Sequence, residues 1–423
     1  MKAILIDWNA YGNRELRLAL NKKGYDVILC PFNGHRTGRD KEMALADIRE
    51  VASSAQPEFV FSYHYFPEVS NICQELRIRY ISWIYDSPAF DLYSPTILND
   101  VNRIFVFDRG VSDVFQSQGI TTVFHMPLGV YVDDSADQGA DQGDGSFDQN
   151  FSMPSPERNY ANFDQKNRPL DQPLDLPHEP YICDVSFIGS TYDESKHDLY
   201  RKFDSISPYA HGYLDAIIQA QKHLYGANIL ESLITPEIEA EMQKGCPTDP
   251  NSTNAMTPAQ IYSQFVLSRK VTAIERREIL EMLGKIKNNT IHLYTHNASL
   301  RIPGIRNLGP VEYGAKMSEI FAASKINLNV TLRSILTGIP LRALDIMNAG
   351  GFLLSNYQEE LCDYFVPGEE FDFYSDYDDL CAKVDHYLSH EKERQDIARA
   401  GRQKVQRDFS LSKRLDEMLE TAL

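Results

Sequence analysis

Lys325, Arg333 and Arg342 follow one another along KINLNVTLRSILTGIPLRALD, whose pattern predicts a strand over Lys325–Val330, a loop over Thr331–Gly338 and a helix opening at Pro340. Proline suits a first helical turn, where its missing N–H would have no intrahelical partner in any case. A helix that starts after the loop dipeptide Thr337-Gly338, beside guanidinium groups, offers free N–H groups and a positive dipole end to an anion. Guanidinium forks also match phosphate oxygens two at a time. Arg333 and Arg342 are open to a second reading as surface residues or internal ion pairs. Gly189-Ser190-Thr191 sits between a strand pattern and a helix pattern, and its N–H groups supply a further place for an anion.

Proton transfer has two candidates. Asp86 ends the apolar strand Tyr80–Tyr85 in Tyr85-Asp86-Ser87-Pro88, where a carboxylate can accept a proton from a hydroxyl or cap the turn. His64, at the end of strand Phe59–Tyr63, is the second base, with an ordinary pKa suited to the task or a structural hydrogen bond to make. Gly12 lies in the first strand-to-helix loop, where a ligand can approach the backbone closely. Metal and nucleophile chemistry is not expected. His292 and His296 share a strand face and His386 and His390 a helix face, but neither pair has a partner in sequence to complete a zinc site. No G-x-S-x-G elbow and no Walker sequence is present.

These residues need elements to hold them. Short strands alternate with helices from Ala3 to Met126: strand Ala3–Asp7, helix Arg14–Lys23, strand Tyr25–Cys30, helix Glu42–Ala52, and so on. That rhythm predicts a parallel, doubly wound sheet with ligands at the carboxyl ends of its strands. Residues 133–180 break the rhythm with DQGADQGDGS and a proline-rich run, and read as an acidic flexible linker or insertion. A second α/β block starts at Ile182–Ile188. It carries helices near Glu194–Phe203, Tyr209–Tyr225, Pro236–Lys244, Pro258–Leu267 and Thr272–Leu283 before alternation resumes at Thr290–Tyr294. The expected division is residues 1–132, the linker 133–180, a second domain 181–405 with a helical insertion near 205–285, and a last helix 406–423. Two doubly wound halves would form a cleft between them.

At 423 residues, with 43% hydrophobic and 11% aromatic residues, the chain can build two or three real cores. A net charge of −18 argues against nucleic-acid binding, which needs a basic face. The six cysteines are scattered without a CxxC pair and read as reduced core thiols of a cytoplasmic protein. No signal peptide and no membrane-spanning run is expected.

SWIYDSP (Ser82–Pro88), DVSFIGS (Asp184–Ser190), SKINLN (Ser324–Asn329) and GIPLRALDIMNAGGFLL (Gly338–Leu354) resemble the CgeB-like glycosyltransferases, as do Phe365–Leu380 and Arg394–Val405. The resemblance covers about residues 59–108 and 291–419. It implies the GT-B architecture: two facing Rossmann-like domains, the second holding a nucleotide-diphosphate sugar, and a final helix that returns to the first. Transfer to a hydroxyl of a glycan or protein, without cofactor or bound metal, is also implied. Side-chain cations and a helix N-terminus would then neutralise the leaving diphosphate. Asp345 aligns with the second glutamate of the family-four E-x7-E signature, which binds ribose hydroxyls, and Thr337 with the first, which touches the donor sugar. Asn307–Val311 stands where such enzymes hold the base through backbone atoms. The threonine favours one alternative, a non-catalytic nucleotide-sugar or glycan-binding protein. A nucleotide-sugar epimerase of the same shape is another.

Overall fold

Buried β-branched and aromatic runs of three to six residues form the strands, and amphipathic helices cover them. The computed structural model describes residues 1–10, 12–32, 38–132, 181–193, 198–249 and 254–423. The expected acidic linker and part of the expected helix Glu194–Phe203 lie outside the described residues; Leu199–Phe203 forms a 3₁₀ turn.

The first half runs β1 (Lys2–Asp7), α1 (Asn13–Lys22), β2 (Asp26–Pro31), α2 (Gly38–Ala55), β3 (Phe59–Tyr63), α3 (Pro67–Leu76), β4 (Arg79–Ile84), β5 (Asn102–Val106), α4 (Arg109–Ser117) and β6 (Val123–His125). Its strands pair in the order β2-β1-β3-β4-β5-β6, all parallel. Strand order reverses between β1 and β3, so the loops leaving those two strands diverge to opposite faces and open a crevice.

The second half begins with β7 (Cys183–Ile188) and then inserts α5 (Pro208–Lys222), α6 (Pro236–Gly245) and α7 (Pro258–Ile261). A π-helical turn over Tyr262–Leu267 follows inside the expected helix Pro258–Leu267, and leads into α8 (Ser268–Leu283). These helices pack their own core around Phe203, Leu214, Met242 and Tyr262. Then come β8 (Ile291–Tyr294), β9 (Ile305–Asn307), α9 (Ala315–Ala323), β10 (Ser324–Asn329), α10 (Leu341–Asn348), β11 (Leu353–Asn356), α11 (Glu359–Tyr364), β12 (Asp372–Tyr374), α12 (Tyr377–Ser389), α13 (Glu391–Asp408) and α14 (Leu411–Ala422). The sheet order β12-β11-β10-β7-β8-β9 is again wholly parallel, with its reversal between β7 and β10.

Both sheets belong to one compact unit, Met1–Tyr131 with Tyr181–Leu423. α14 lies on the first half: Lys23 pairs with Asp416, and Val130 bridges to Ser410. Two Rossmann-like sheets facing across a cleft are the GT-B arrangement.

Candidate active site

A cleft of about 880 Å³ is lined by loops from both reversal points. From the first sheet come Trp8 after β1 and His64 and Phe66 after β3, joined by Tyr85-Asp86-Ser87-Pro88 after β4. Gly189 and Ser190 after β7 come from the second, with Asn329–Leu332 and Pro340–Arg342 on either side of the loop into α10.

His64 is held firmly. Its φ of +77° is a left-handed conformation uncommon for a side-chain-bearing residue. The hydroxyls of Ser62 and Ser82 donate to its carbonyl at 2.6 and 2.8 Å, and its N–H donates to the Trp83 carbonyl at 3.1 Å. The imidazole Nε2 lies 2.7 Å from Oδ2 of Asp91, a residue that no motif in the sequence marks. A base oriented by a carboxylate in this way can take a proton and keep the resulting imidazolium in place. Asp86 is exposed in the same wall.

The opposite wall is cationic. Arg342, in the first turn of α10, rests over the Phe321 ring at 5.7 Å and touches the Met317 sulfur. Arg276 of α8 is buried and donates to the carbonyls of Ser190 (2.6 Å) and Val330 (3.2 Å), tying together the loops after β7 and β10. Its guanidinium sits 5.4 Å from the Phe187 ring and 5.0 Å from that of Tyr192. Arg269 also lines the cleft, and its buried Nε has no hydrogen-bond partner among the described residues. Neither Arg269 nor Arg276 was singled out from sequence. They lie on a helix of the insertion, far along the chain from any loop motif, and only packing brings them here.

Other expected residues go elsewhere. Lys325 is at the amino end of β10, paired with Asp184 at 2.7 Å, whereas the cleft gathers at the carboxyl ends. Arg333 is 8% exposed and turned inward, ion-paired with Glu275 at 3.0 Å and donating to the carbonyls of Leu224 and Lys222 at 2.9 and 3.1 Å. The internal ion pair, and not an anion in the cleft, occupies it in this structure. Thr337 and Gly338 face the first sheet's half. The Asp108 carboxylate, which also caps α4, accepts from the N–H groups of Leu336 (2.6 Å), Thr337 (3.0 Å) and Gly338 (3.3 Å). A Cβ at Gly338 would fall 2.8 Å from the Asp108 Cα, so only glycine permits this approach. The Thr337 hydroxyl lies 2.8 Å from Glu360, whose other oxygen is 2.7 Å from His125 Nε2.

Asp345 and Gly12 do not line the cleft; Asp345 lies one turn along α10 from Arg342, which does. The Tyr313 hydroxyl donates to Asp345 at 3.0 Å, and burial pushes the Asp345 carboxyl up to about 6 against the pull of Arg342. The ring of Tyr85 lies 4.6 Å from that of Tyr63, and a Cβ at Gly12 would meet the Tyr63 hydroxyl at 3.4 Å. One expectation about metals changes too. His386 and His390 have a third potential ligand in Glu393 at the start of α13, with donor atoms within 4.8 Å of one another. All three are exposed and none lines the cleft. Among the described residues, no helix is long and apolar enough to cross a membrane.

Residues 274–420 match the family model described as glycosyl transferase-like. That stretch contains Arg276, the loop into α10 and Asp345. No curated protein matches the chain. Several solved structures are similar at low identity. A glycosyltransferase from Rickettsia africae is 10% identical, with 100% of this chain and 97% of that one covered and a TM-score of 0.48. Anabaena HepE in complex with UDP-glucose is 10% identical over 100% and 99%, with a TM-score of 0.49. Sucrose-phosphate synthase from Thermosynechococcus elongatus is 12% identical over 100% and 98%, with a TM-score of 0.47. The similarity to the glycosyl transferase-like family thus lies in the carboxyl-terminal part, residues 274–420, of a two-sheet α/β fold.

Proposed function

We propose that the chain transfers a sugar from a nucleotide-diphosphate sugar to an acceptor hydroxyl, of a glycan or a protein, in the cleft between its two sheets. The supporting observation is the division of the cleft: three arginines, Arg269, Arg276 and Arg342, on one wall and a carboxylate-oriented histidine on the other. In this reading the diphosphate lies at the start of α10 beside Arg342 and the Gly189-Ser190 turn. The arginines neutralise the charge that develops on the leaving group, without a bound metal. The sugar points toward His64, which takes the acceptor's proton while Asp91 stabilises the imidazolium; Asp86 is the second proton acceptor in reach of the same space. Toward the flank, Asp345 accepts from ribose hydroxyls in place of the Tyr313 hydroxyl. Asn307–Val311 meets the base, and Gly12 lets the acceptor or the donor phosphates approach the backbone of the first strand-to-helix loop closely.

The test is release of nucleoside diphosphate from a panel of nucleotide sugars, with and without acceptors and with EDTA present. Arg342→Ala should weaken donor binding by roughly 1–3 kcal/mol through loss of charged hydrogen bonds. His64→Gln should spare donor binding and slow transfer roughly 10²-fold. Unchanged donor affinity in the first variant would remove Arg342 from the site, and normal turnover in the second would leave the proton to Asp86. The second reading, a non-catalytic nucleotide-sugar binder, is favoured by Thr337 facing Asp108 and Glu360 where the family's glutamate touches the donor sugar. Tight donor binding with no release under any acceptor would establish it.

Asp345 gives a pH signature with two opposite signs. Its folded pKa of about 6 lies above the unfolded carboxyl value of 3.8, so between those values the native chain holds more proton than the unfolded one. Its contribution to stability is therefore present at low pH and lost as pH rises through about 6. Ribose hydroxyls need the ionised carboxylate, so donor affinity should move the other way, falling up to about tenfold per pH unit on acidification below that point. Calorimetric titration of wild type and Asp345→Asn at several pH values checks this. A donor affinity equally flat in both would detach Asp345 from the ribose.

A further inference from the structure

The helical insertion reaches across to the first sheet's half. The N–H of Ala255 donates to the Tyr93 carbonyl at 2.9 Å and the Asn254 amide to the Phe90 carbonyl at 2.6 Å. The rings of Phe265 and Phe90 meet edge-on, centroids 6.3 Å apart. This contact encloses a second cavity of about 200 Å³. Leu92, Val106, Val111 and Val114 give it an apolar wall, and Gln260 and Gln264 face them from the insertion. Asp86, Ser87, Pro88 and Phe107 border both cavities, so the smaller one opens beside the carboxylate at the large cleft. The hydroxyls of Ser87 and Ser334 each donate to the other's carbonyl, at 2.9 and 3.1 Å, on this shared border.

We propose that the side cavity receives a compact apolar group of the acceptor, an aromatic ring or a short branched alkyl, while the acceptor's hydroxyl lies at Asp86 and His64. The inference rests on the transferase reading and specifies its substrate class. Size and lining both fit. A dry apolar cavity of about 150 Å³ admits benzene, so this one has room for a ring with its first linking atom. The apolar wall comes from the first sheet's half, where Asp86 and Asp108 also border the cavity, and the insertion faces it with polar side chains, Asn228, Glu231 and Ser263 beside the two glutamines, so apolar surface and orienting polar groups meet as in a small-molecule site. The π-helical turn is the second observation. Such turns are rare and concentrate at functional sites. This one sends consecutive residues to the two cavities, Gln264 to the small one and Phe265 to the large one.

The experiment compares phenyl glycosides with methyl glycosides of the same sugars, binding being read by calorimetry without donor turnover. Wild type should bind the best phenyl glycoside roughly tenfold more tightly than its methyl counterpart, from burial of the ring. Val114→Trp, at a position 38% exposed and so tolerant of size, and Val111→Phe should each fill the cavity. Either should erase the preference while methyl-glycoside affinity stays. Equal affinities in wild type, or a phenyl preference that survives both variants, would overturn the proposal. Absence of nucleotide release from every donor would count against the transferase reading alone, because binding is measured independently.

Discussion

Arg333→Ala is expected to lower the stability of the fold by about 3–5 kcal/mol, because it strands a buried carboxylate. Glu275 is fully buried and takes the Arg333 guanidinium at two points, each 3.0 Å. The same guanidinium satisfies the carbonyls of Leu224 and Lys222 at the end of α5 and stacks 4.1 Å from the centroid of Tyr225. One side chain therefore fastens the loop after β10 to both α5 and α8. Removing it leaves the Glu275 carboxylate with the Tyr225 hydroxyl but without its cation, and takes the guanidinium from the carbonyls of Lys222 and Leu224, of which the second keeps the Gln221 amide. Chemical denaturation would read the loss, and titration with nucleoside diphosphates at a temperature where the variant stays folded would read the site. Affinity should remain within about twofold, since Arg333 makes no contact with the cleft and a side chain that binds no ligand shifts affinity only through reorganisation. Replacing both partners together, Arg333→Met with Glu275→Leu, should recover much of the stability, as exchange of a buried pair for apolar residues often does. A tenfold affinity loss at unchanged stability would return Arg333 to the anion site.

That residue illustrates what could be read from the chain. Period-2 and period-3.6 patterns exposed two doubly wound blocks, because each strand buried on both faces is a nearly unbroken apolar run such as Phe59–Tyr63. Arg342, Gly189, Ser190, His64 and Asp86 were legible as site candidates because each sits at the carboxyl end of a strand or the start of a helix, and such positions converge at the reversal points of the sheets. Lys325 and Arg333 carry the same charge within the same motif, yet one lies at the wrong end of its strand and the other turns toward an acidic residue on a distant helix. Charge and spacing contain no information about that partner. For the same reason Arg269, Arg276 and Asp91 were invisible: their neighbours in the cleft are remote in sequence, and nothing local distinguishes them from surface residues. Glu393 lies beyond the break between α12 and α13, so spacing along α12 does not reveal that it meets His386 and His390.

Thr337→Glu, which puts a glutamate where the resemblance to the E-x7-E signature expects one, should destabilise the chain by about 3–5 kcal/mol, as an unpaired buried charge does, and should not raise transfer. The threonine hydroxyl lies 2.8 Å from Glu360 and 3.1 Å from Asp108, and it also receives the Gly110 N–H at 2.9 Å. Glu360 is fully buried, and burial already holds the Asp108 carboxyl above its ordinary range, with the Glu360 charge adding to the effect. A third carboxylate would stand among two that are short of compensating charge. His125 is the imidazole that touches Glu360, and the N–H groups of residues 336–338 are already spent on Asp108. Repulsion should pull the loop off α4 and loosen the start of α10, so donor affinity would fall with stability. Thr337→Val separates the two effects, losing the hydroxyl without adding charge, at a cost of about 1–3 kcal/mol for the unsatisfied groups. Adding Glu360→Gln to Thr337→Glu should recover part of the loss by removing one of the three charges. Denaturant midpoints for the three variants, set beside nucleotide release, give the comparison. If Thr337→Glu kept wild-type stability and accelerated transfer, the loop would have turned its side chain into the cleft, and the contact with Asp108 would be a closed state that the donor replaces.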